Sequence, residues 1–183
     1  MKTRKLLIFD LDYTLVSVNT SYCYLKALYR KKILPMSLLV KGFFIRLAYY
    51  ITPMSLERLH YLVFDTMLKG FSLDTLEKNV DELLNELVPR YIYQPAYQEL
   101  KNGKERGDYI VIFSSSPDFL VSRFANYFGA DFWDSTVYGV DKDRSLCKIA
   151  KLVVGTEKER FLLELQKKLE IPREDVSVYS DSH

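Results

Sequence analysis

Cysteine and histidine are scarce in this 183-residue sequence, which contains two of each. Two cysteines cannot supply the disulfide framework of a small secreted protein, and Cys23 and Cys147 match neither a zinc nor a redox spacing. A dominant charge is also lacking, because 26 Lys and Arg residues against 24 Asp and Glu residues leave a net charge of +2. We therefore predict no nucleic-acid partner.

Long uninterrupted apolar runs are lacking as well. The first run, Leu6–Phe9, is followed by two aspartates within three residues and is too short for an export signal, so we predict a cytoplasmic protein. Residues 33–56 are strongly apolar, but Lys41 and Arg46 would each cost about 2.5–3.5 kcal/mol near the centre of a bilayer. Helices buried in a cap domain explain this segment; an interfacial helix that gives the cap peripheral membrane contact is the alternative.

Short, continuous apolar runs that resemble strands buried on both faces occur at Leu6–Phe9, Tyr109–Phe113 and Val176–Tyr179. The second is followed by a predicted helix that ends at Gly129, with Ser116 as its N-cap and Pro117 as its first residue. Another helix is predicted to start at Thr156. This alternation predicts an α/β fold with a Rossmann-like open parallel sheet and a ligand site at the carboxyl ends of its strands.

The segment between the first two strands, residues 16–108, is much longer than a single crossover helix of about a dozen residues. Its apolar residues recur at helical spacing, and helix-breaking residues occur at Pro35, Pro53, Gly70 and Pro89. We predict an α/β core formed by residues 1–15 and 109–183, an inserted helical cap at 16–88, and a return helix within 89–108. The cap is expected to cover the active edge of the sheet.

Asp10 and Asp12 directly follow the first predicted strand, within the sequence Asp10-Leu11-Asp12-Tyr13-Thr14. Two carboxylates leaving a strand into one cleft repel each other, and a divalent cation relieves that repulsion. Mg²⁺ prefers one or two carboxylates together with a substrate phosphate. One aspartate could then attack phosphorus while the other transfers a proton.

Further polar residues are predicted at the same edge of the sheet. Ser114, Ser115 and Ser116 end the second strand, where hydroxyl and backbone N–H groups bind phosphate. Lys158 lies in the first turn of its helix, where the helix dipole disfavours a cation unless it faces an anion. Asp181 follows the Val176–Tyr179 strand. Together these positions predict one phosphate-binding crevice.

The order Asp-x-Asp-x-Thr, apolar-Ser, Lys and Asp resembles the haloacid dehalogenase superfamily, and the helical insertion resembles its phosphoserine-phosphatase-like branch. This resemblance implies Mg²⁺ and an aspartyl-phosphate formed on Asp10, with Asp12 as general acid and then base. It also implies that Thr14 supports the loop and that Ser114 and Lys158 bind phosphate. With Ser115 from the serine run, the predicted phosphate-binding residues are Thr14, Ser114, Ser115 and Lys158. Asp10, Asp181 and the backbone carbonyl of Asp12 would hold the metal.

Two departures from the family pattern affect the expectations. The family has another aspartate about four residues beyond the position of Asp181, whereas the sequence ends at His183; we therefore expect an incomplete core with Val176–Tyr179 at an open sheet edge. Residues 16–21 contain no carboxylate to bind the amino group of phosphoserine. The apolar cap, with Lys41 and Arg46, suggests a larger small-molecule phosphomonoester or a lipid phosphate.

We therefore predict a Mg²⁺-dependent phosphomonoester hydrolase. A non-catalytic phosphate- or lipid-binding module, or a phosphotransferase of the same fold, is the alternative. His60, in an apolar helix, is interpreted as a packed or half-exposed side chain.

Overall fold

A five-stranded, mostly parallel sheet forms the centre of the protein in a computed structural model that describes residues 4–181. Its strands are β1 (Leu6–Asp10), β2 (Tyr109–Pro117), β3 (Phe132–Val140), β4 (Leu146–Lys151) and β5 (Val176–Tyr179). The spatial order is β4-β3-β2-β1-β5, and the β3–β4 pair is antiparallel. The predicted open α/β fold is confirmed. Residues 1–3, 182 and 183 of the predicted core lie outside the described residues.

Eight α-helices are described between residues 4 and 181: six lie between β1 and β2, one between β2 and β3, and one between β4 and β5. They are α1 (Thr20–Arg30), α2 (Met36–Ile51), α3 (Leu56–Val63), α4 (Leu73–Glu77), α5 (Val80–Tyr91), α6 (Gln94–Arg106), α7 (Asp118–Phe128) and α8 (Thr156–Lys168). A π-helical segment, Phe64–Leu68, continues α3, and a 3₁₀ turn, Arg173–Asp175, precedes β5.

Strand β1 is buried on both faces, as its continuous apolar run predicts. Leu7 and Phe9 belong to a large apolar cluster shared with α6 and α7, whereas Leu6 and Ile8 pack in a second cluster with Leu165 of α8. Side chains alternate between the faces of a strand, so successive residues of β1 contact different helical layers. The chain leaves this buried strand at Asp10, and β5 lies beside β1 at one edge of the sheet, as expected.

Helices α1–α5 lie between β1 and α6, in the segment predicted to form the cap. Helix α2 begins after Pro35 and ends before Pro53, as those prolines predict. The break predicted at Pro89 is wrong, because α5 continues to Tyr91. Pro89 lies near the end of the helix and removes one backbone hydrogen bond there, and burial of Leu87 and Val88 holds that end in place. The proposed domain boundaries stay a prediction.

A hairpin that the sequence analysis did not predict joins this helical segment to the sheet. Strands β3 and β4 are connected through an exposed turn at residues 141–145, in which Asp141 accepts hydrogen bonds from the backbone N–H groups of Asp143 and Ser145. Beyond the turn, the Gly70 N–H donates to the Leu146 carbonyl, and the Arg144 Nε donates to Asp74 Oδ1 at 2.6 Å. The helical segment is therefore fixed to the far edge of the sheet.

The expectation that residues 33–56 are buried is wrong for most of α2. Ile45 is the residue of α2 that is buried, while Phe43, Phe44, Tyr50 and Ile51 are 60–73% exposed. Helix α2 packs on α1, α3 and the π-helical segment through one side only. Within residues 4–181, none of the helices is both long enough and apolar enough to cross a membrane.

Candidate active site

Asp10 and Lys158 form an ion pair at the carboxyl end of the sheet. Asp10 is the last residue of β1, and its Oδ1 accepts the Leu11 backbone N–H at 2.7 Å. Its Oδ2 accepts a hydrogen bond from Lys158 Nζ at 2.8 Å. Lys158 extends from the first turn of α8, so the position that the helix dipole disfavours is compensated by a carboxylate. A carboxylate and an ammonium group thus share one cleft.

Asp12 is held by donors from two separate parts of the chain. Its Oδ1 accepts hydrogen bonds from the backbone N–H of Thr20 at 2.6 Å and from the Thr20 hydroxyl at 2.7 Å. Its Oδ2 accepts the hydroxyl of Ser116 at 2.8 Å. Thr20 begins α1, so the carboxylate lies at a helix N-terminus, where partial positive charge stabilises an anion.

Burial raises the pKa of the Asp12 carboxyl above its ordinary value, and the negative charge of Asp10 adds to the rise. The hydrogen bonds from Thr20 and Ser116 oppose this rise because they favour the ionised form. The two carboxyl groups therefore differ: Asp12 holds a proton more readily than an ordinary aspartate. Asp10 is paired with the ammonium group of Lys158. This arrangement suits a proton donor next to a nucleophile.

The three serines that end β2 occupy different environments. Ser114 is fully buried, and its Oγ accepts the Ser116 backbone N–H at 3.1 Å. Ser115 lines the cleft that contains Asp10. The predicted N-cap role of Ser116 is wrong, because α7 begins at Asp118 after Pro117 and makes no side-chain cap hydrogen bond. Ser116 instead binds Asp12, and its hydroxyl lies 2.7 Å from that of Ser21.

Asp181 reaches the same cleft from the end of β5. Its side chain is exposed and lines the cleft, while its backbone N–H donates to Thr14 Oγ1 at 3.1 Å. Thr14 itself is buried and does not line the cleft, so it links the loop after β1 to the residues after β5.

The residues predicted to hold a metal are oxygen donors, which is the chemistry that Mg²⁺ prefers. Across residues 4–181, no three His, Cys, Asp or Glu side chains are grouped as a ready-made metal site. The carboxylate of Asp12 is already occupied by Thr20 and Ser116. Asp10 and Asp181 line the same cleft, so with the Asp12 carbonyl they are the oxygen donors whose chemistry fits Mg²⁺.

The cleft has a volume of about 310 Å³, and its lining contains charged, uncharged polar and apolar residues. Asp10, Asp12, Lys158 and Asp181 are its charged lining residues. Uncharged polar side chains line it at Asn19, Ser21, His60, Ser115 and Ser116, and its apolar and aromatic lining includes Tyr24, Leu25, Leu56, Leu59, Val63, Leu68, Phe119 and Tyr138. A ligand in this cleft would therefore contact charged residues together with a larger number of uncharged ones.

His60 of α3 lines this cleft. The apolar residues around it in the sequence indicated only a packed or half-exposed side chain. Burial lowers the pKa of the His60 imidazole, and the nearby positive charge of Lys158 lowers it further. Lys41 and Arg46 do not line the cleft and are exposed on α2. Sequence reasoning missed Thr20 and Ser21; their only signal is the polar run Asn19-Thr20-Ser21 that begins α1.

A family model described as haloacid dehalogenase-like hydrolase matches residues 7–183. Among solved structures, a protein of unknown function from Bordetella pertussis Tohama I superposes with a TM-score of 0.81 at 17% identity, covering 96% of this chain and 80% of that one. A substrate-bound phosphoserine phosphatase gives 0.69 at 18% identity, covering 97% and 78%. A HAD family hydrolase from Salmonella enterica serovar Typhi gives a TM-score of 0.71 at 16% identity, covering 94% of this chain and 54% of that one. None of the curated proteins matches this sequence.

Proposed function

Because the chain belongs to the haloacid dehalogenase-like hydrolase family, we propose that it is a Mg²⁺-dependent phosphomonoester hydrolase that forms an aspartyl-phosphate on Asp10. The observation that carries the proposal is the contact of Lys158 Nζ with Asp10 Oδ2 at 2.8 Å, beside an Asp12 that is held by three hydrogen bonds. This arrangement supports the proposed roles of Asp10 as nucleophile, Lys158 as phosphate-binding cation and Asp12 as proton donor.

In the first step, a carboxylate oxygen of Asp10 forms a bond to phosphorus as the bond from phosphorus to the ester oxygen breaks. The leaving oxygen takes the proton of Asp12, so the product departs as a neutral alcohol. Asp12 becomes ionised in this step, and the donors Thr20 and Ser116 stabilise the carboxylate that forms.

In the second step, water attacks the phosphorus of the aspartyl-phosphate and Asp12 accepts a proton from that water. The bond between phosphorus and the Asp10 oxygen breaks, which releases inorganic phosphate and restores both carboxyl groups to their starting states. One phosphoester bond and one water molecule are consumed in each cycle, and one alcohol and one phosphate are formed.

Charge stabilisation of the transferring phosphoryl group supplies most of the catalytic gain in this chemistry. Lys158 would bind a phosphate oxygen, Ser115 would donate from the cleft wall, and buried Ser114 would hold the strand end in position. Bound Mg²⁺ supplies further neutralisation of the phosphate charge. Asp10, Asp181 and the Asp12 carbonyl would hold it.

The lining of the cleft favours an uncharged, largely apolar leaving alcohol. Leu25, Leu56, Leu59 and Val63 offer no partner for a charged ammonium or carboxylate, and His60 is favoured in its neutral form. Lys158 is the only lysine or arginine among the described residues that line the cleft, so the carboxylate of a bound phosphoserine would have no second cation to pair with, which is costly. The likeness to phosphoserine phosphatases therefore supports the reaction type, while the lining supports a different alcohol in a small-molecule or lipid phosphate.

The test is phosphate release from a panel of phosphomonoesters that differ in the charge and length of the alcohol, measured with Mg²⁺ and with chelator. Asp10→Asn keeps the shape of the side chain but removes the nucleophilic carboxylate, so turnover should be lost. Asp143→Asn, in the exposed β3–β4 turn, makes the same chemical change outside the cleft and should retain full turnover.

Full activity of Asp10→Asn would contradict the proposed mechanism. A panel without turnover, combined with Mg²⁺-dependent binding of inorganic phosphate, would instead favour a non-catalytic binding module. Faster phosphate transfer to an added alcohol than to water would identify a phosphotransferase. Phosphoserine as the preferred substrate would contradict the inference drawn from the apolar lining.

A further inference from the structure

Helix α2 presents an apolar surface that no other described residue covers. We define its outer face as Val40, Phe43, Phe44, Leu47, Tyr50 and Ile51, all of which are exposed. At 100° per residue, these side chains fall within an arc of about 120° on the helix. Exposed apolar residues are ordinary when scattered, but a continuous arc of six on one helix indicates a binding surface.

The outer face has a positive charge on each side. On the same helical projection, Lys41 lies beyond one border of the arc and Arg46 lies beyond the other. The Arg46 guanidinium packs over the Tyr50 ring at 5.6 Å and donates to its hydroxyl at 3.1 Å, so part of it stays next to the apolar arc. No Asp or Glu occurs between residues 13 and 56, so the sequence around α2 provides no acidic side chain to offset these cations.

The opposite side of α2 is fixed against the protein, so the outer face cannot turn inward. Ile45 is buried, and Gly42 lies so close to the π-helical segment that a Cβ at this position would be 2.9 Å from Met67 Sδ. The side chain of Met67 is itself buried. The close approach at Gly42 and the burial of Ile45 set the rotation of the helix and keep the outer face exposed.

We propose that the outer face of α2 docks on an anionic lipid bilayer, with α2 lying along the surface. An apolar arc bordered by Lys and Arg matches the interface between acyl chains and negatively charged headgroups. At 1.5 Å per residue, the sixteen residues of α2 measure about 24 Å, short of the roughly 30 Å needed to span the apolar core. A second copy is a poorer occupant, because two-fold pairing brings the same positive borders together.

Leu56 begins α3 shortly after the end of α2, is exposed, and also lines the cleft. The segment that follows α2 along the chain therefore reaches the cleft. The docking proposal stands independently of the proposed hydrolase activity, because no residue of the outer face lines the cleft.

The experiment is co-sedimentation of the full chain with vesicles of phosphatidylcholine alone and of phosphatidylcholine mixed with phosphatidylglycerol. We expect binding to the mixed vesicles that weakens as salt is added. Phe43→Ser with Phe44→Ser should weaken binding by at least about tenfold through loss of buried apolar area. The matched control is Tyr127→Ser with Leu163→Ser, which removes two exposed apolar side chains from α7 and α8 and should leave binding unchanged.

A second variant tests separately whether the positive charges beside the outer face contribute to docking. Lys41→Gln with Arg46→Gln should weaken binding to the anionic vesicles by roughly fivefold for each cation removed. Binding of this variant to vesicles of phosphatidylcholine alone should equal that of the wild type. Because both side chains are exposed, this variant tests the proposal even if the serine variant fails to fold.

Absence of sedimentation with anionic vesicles would overturn the proposal, as would equal binding by wild type and the Phe43/Phe44 variant. A dimer in light scattering that this variant dissociates, without any vesicle binding, would assign the outer face to a second copy. Turnover of a short-chain phosphomonoester, measured alongside, should be unchanged in these variants. Its absence in the wild type would bear on the proposed reaction and not on the docking surface.

Discussion

Replacement of Asp12 by asparagine should separate the chemistry of this residue from its contribution to the fold. An asparagine oxygen at the Oδ1 position keeps both hydrogen bonds from Thr20, which lie at 2.6 and 2.7 Å. The amide NH₂ then faces Ser116, whose hydroxyl can accept it and donate its own proton to Ser21 at 2.7 Å. The amide is close in size to the carboxyl group and keeps these partners, so thermal stability should be retained.

The magnitude of the effect on turnover should depend on the leaving group. An alkyl phosphate needs a proton on its departing oxygen, and general acid catalysis contributes about 10²–10⁴-fold, so the first chemical step should slow by that factor. p-Nitrophenolate leaves without a proton, so formation of the aspartyl-phosphate from p-nitrophenyl phosphate should be nearly unaffected. Hydrolysis of that intermediate still lacks its base and should be slow.

Rapid-mixing kinetics distinguish these steps. The Asp12→Asn variant should release one equivalent of p-nitrophenolate per enzyme in a burst, followed by slow turnover. The same variant should show no comparable burst of alcohol from an alkyl phosphate. Equal losses in the first step for both substrates, or full activity towards the alkyl phosphate, would refute the assignment of Asp12 as the proton donor.

Two further predictions follow from the contacts around the cleft. Thr20→Val removes the 2.7 Å hydroxyl contact to Asp12, and loss of a charge-assisted hydrogen bond should lower kcat by about tenfold with KM unchanged. Thr20→Ser should restore the rate in steady-state assays, and an equal loss in both variants would contradict the positioning role. For His60, burial and then Lys158 lower the pKa of the imidazole in the folded state below its unfolded value. The stability that this residue contributes should therefore be present above about pH 6.5 and lost as the pH falls towards the lowered pKa. Urea unfolding should show a smaller loss of stability on acidification in His60→Gln than in wild type; identical pH dependence would count against this account.

Much of the fold follows from local patterns. Leu6–Phe9 is continuously apolar because both faces of β1 are buried, and that pattern is readable without knowledge of the packing partners. Lys158 could be singled out because its helical position is unfavourable unless an anion lies nearby, and Asp10 supplies that anion. The β3–β4 hairpin was not predicted, because Trp133 and its neighbours carry no clear alternation and the turn at 141–144 gives no strong hairpin signal.

The amino-acid sequence alone determined the local features, because residue types and their spacing act within a few residues of the chain. These features are a buried strand followed by Asp10 and Asp12, the serines near the end of β2, and a helical segment between the two strands. Tertiary structure decided which groups hold Asp12, since Ser116 is 104 residues away along the chain. Thr20 is only eight residues away, but its contact depends on how α1 begins after the loop that follows β1. Tertiary structure also decided that His60 lines the cleft and that the apolar side of α2 faces outward. These outcomes depend on how whole elements pack together, which the periodicity of one segment does not specify.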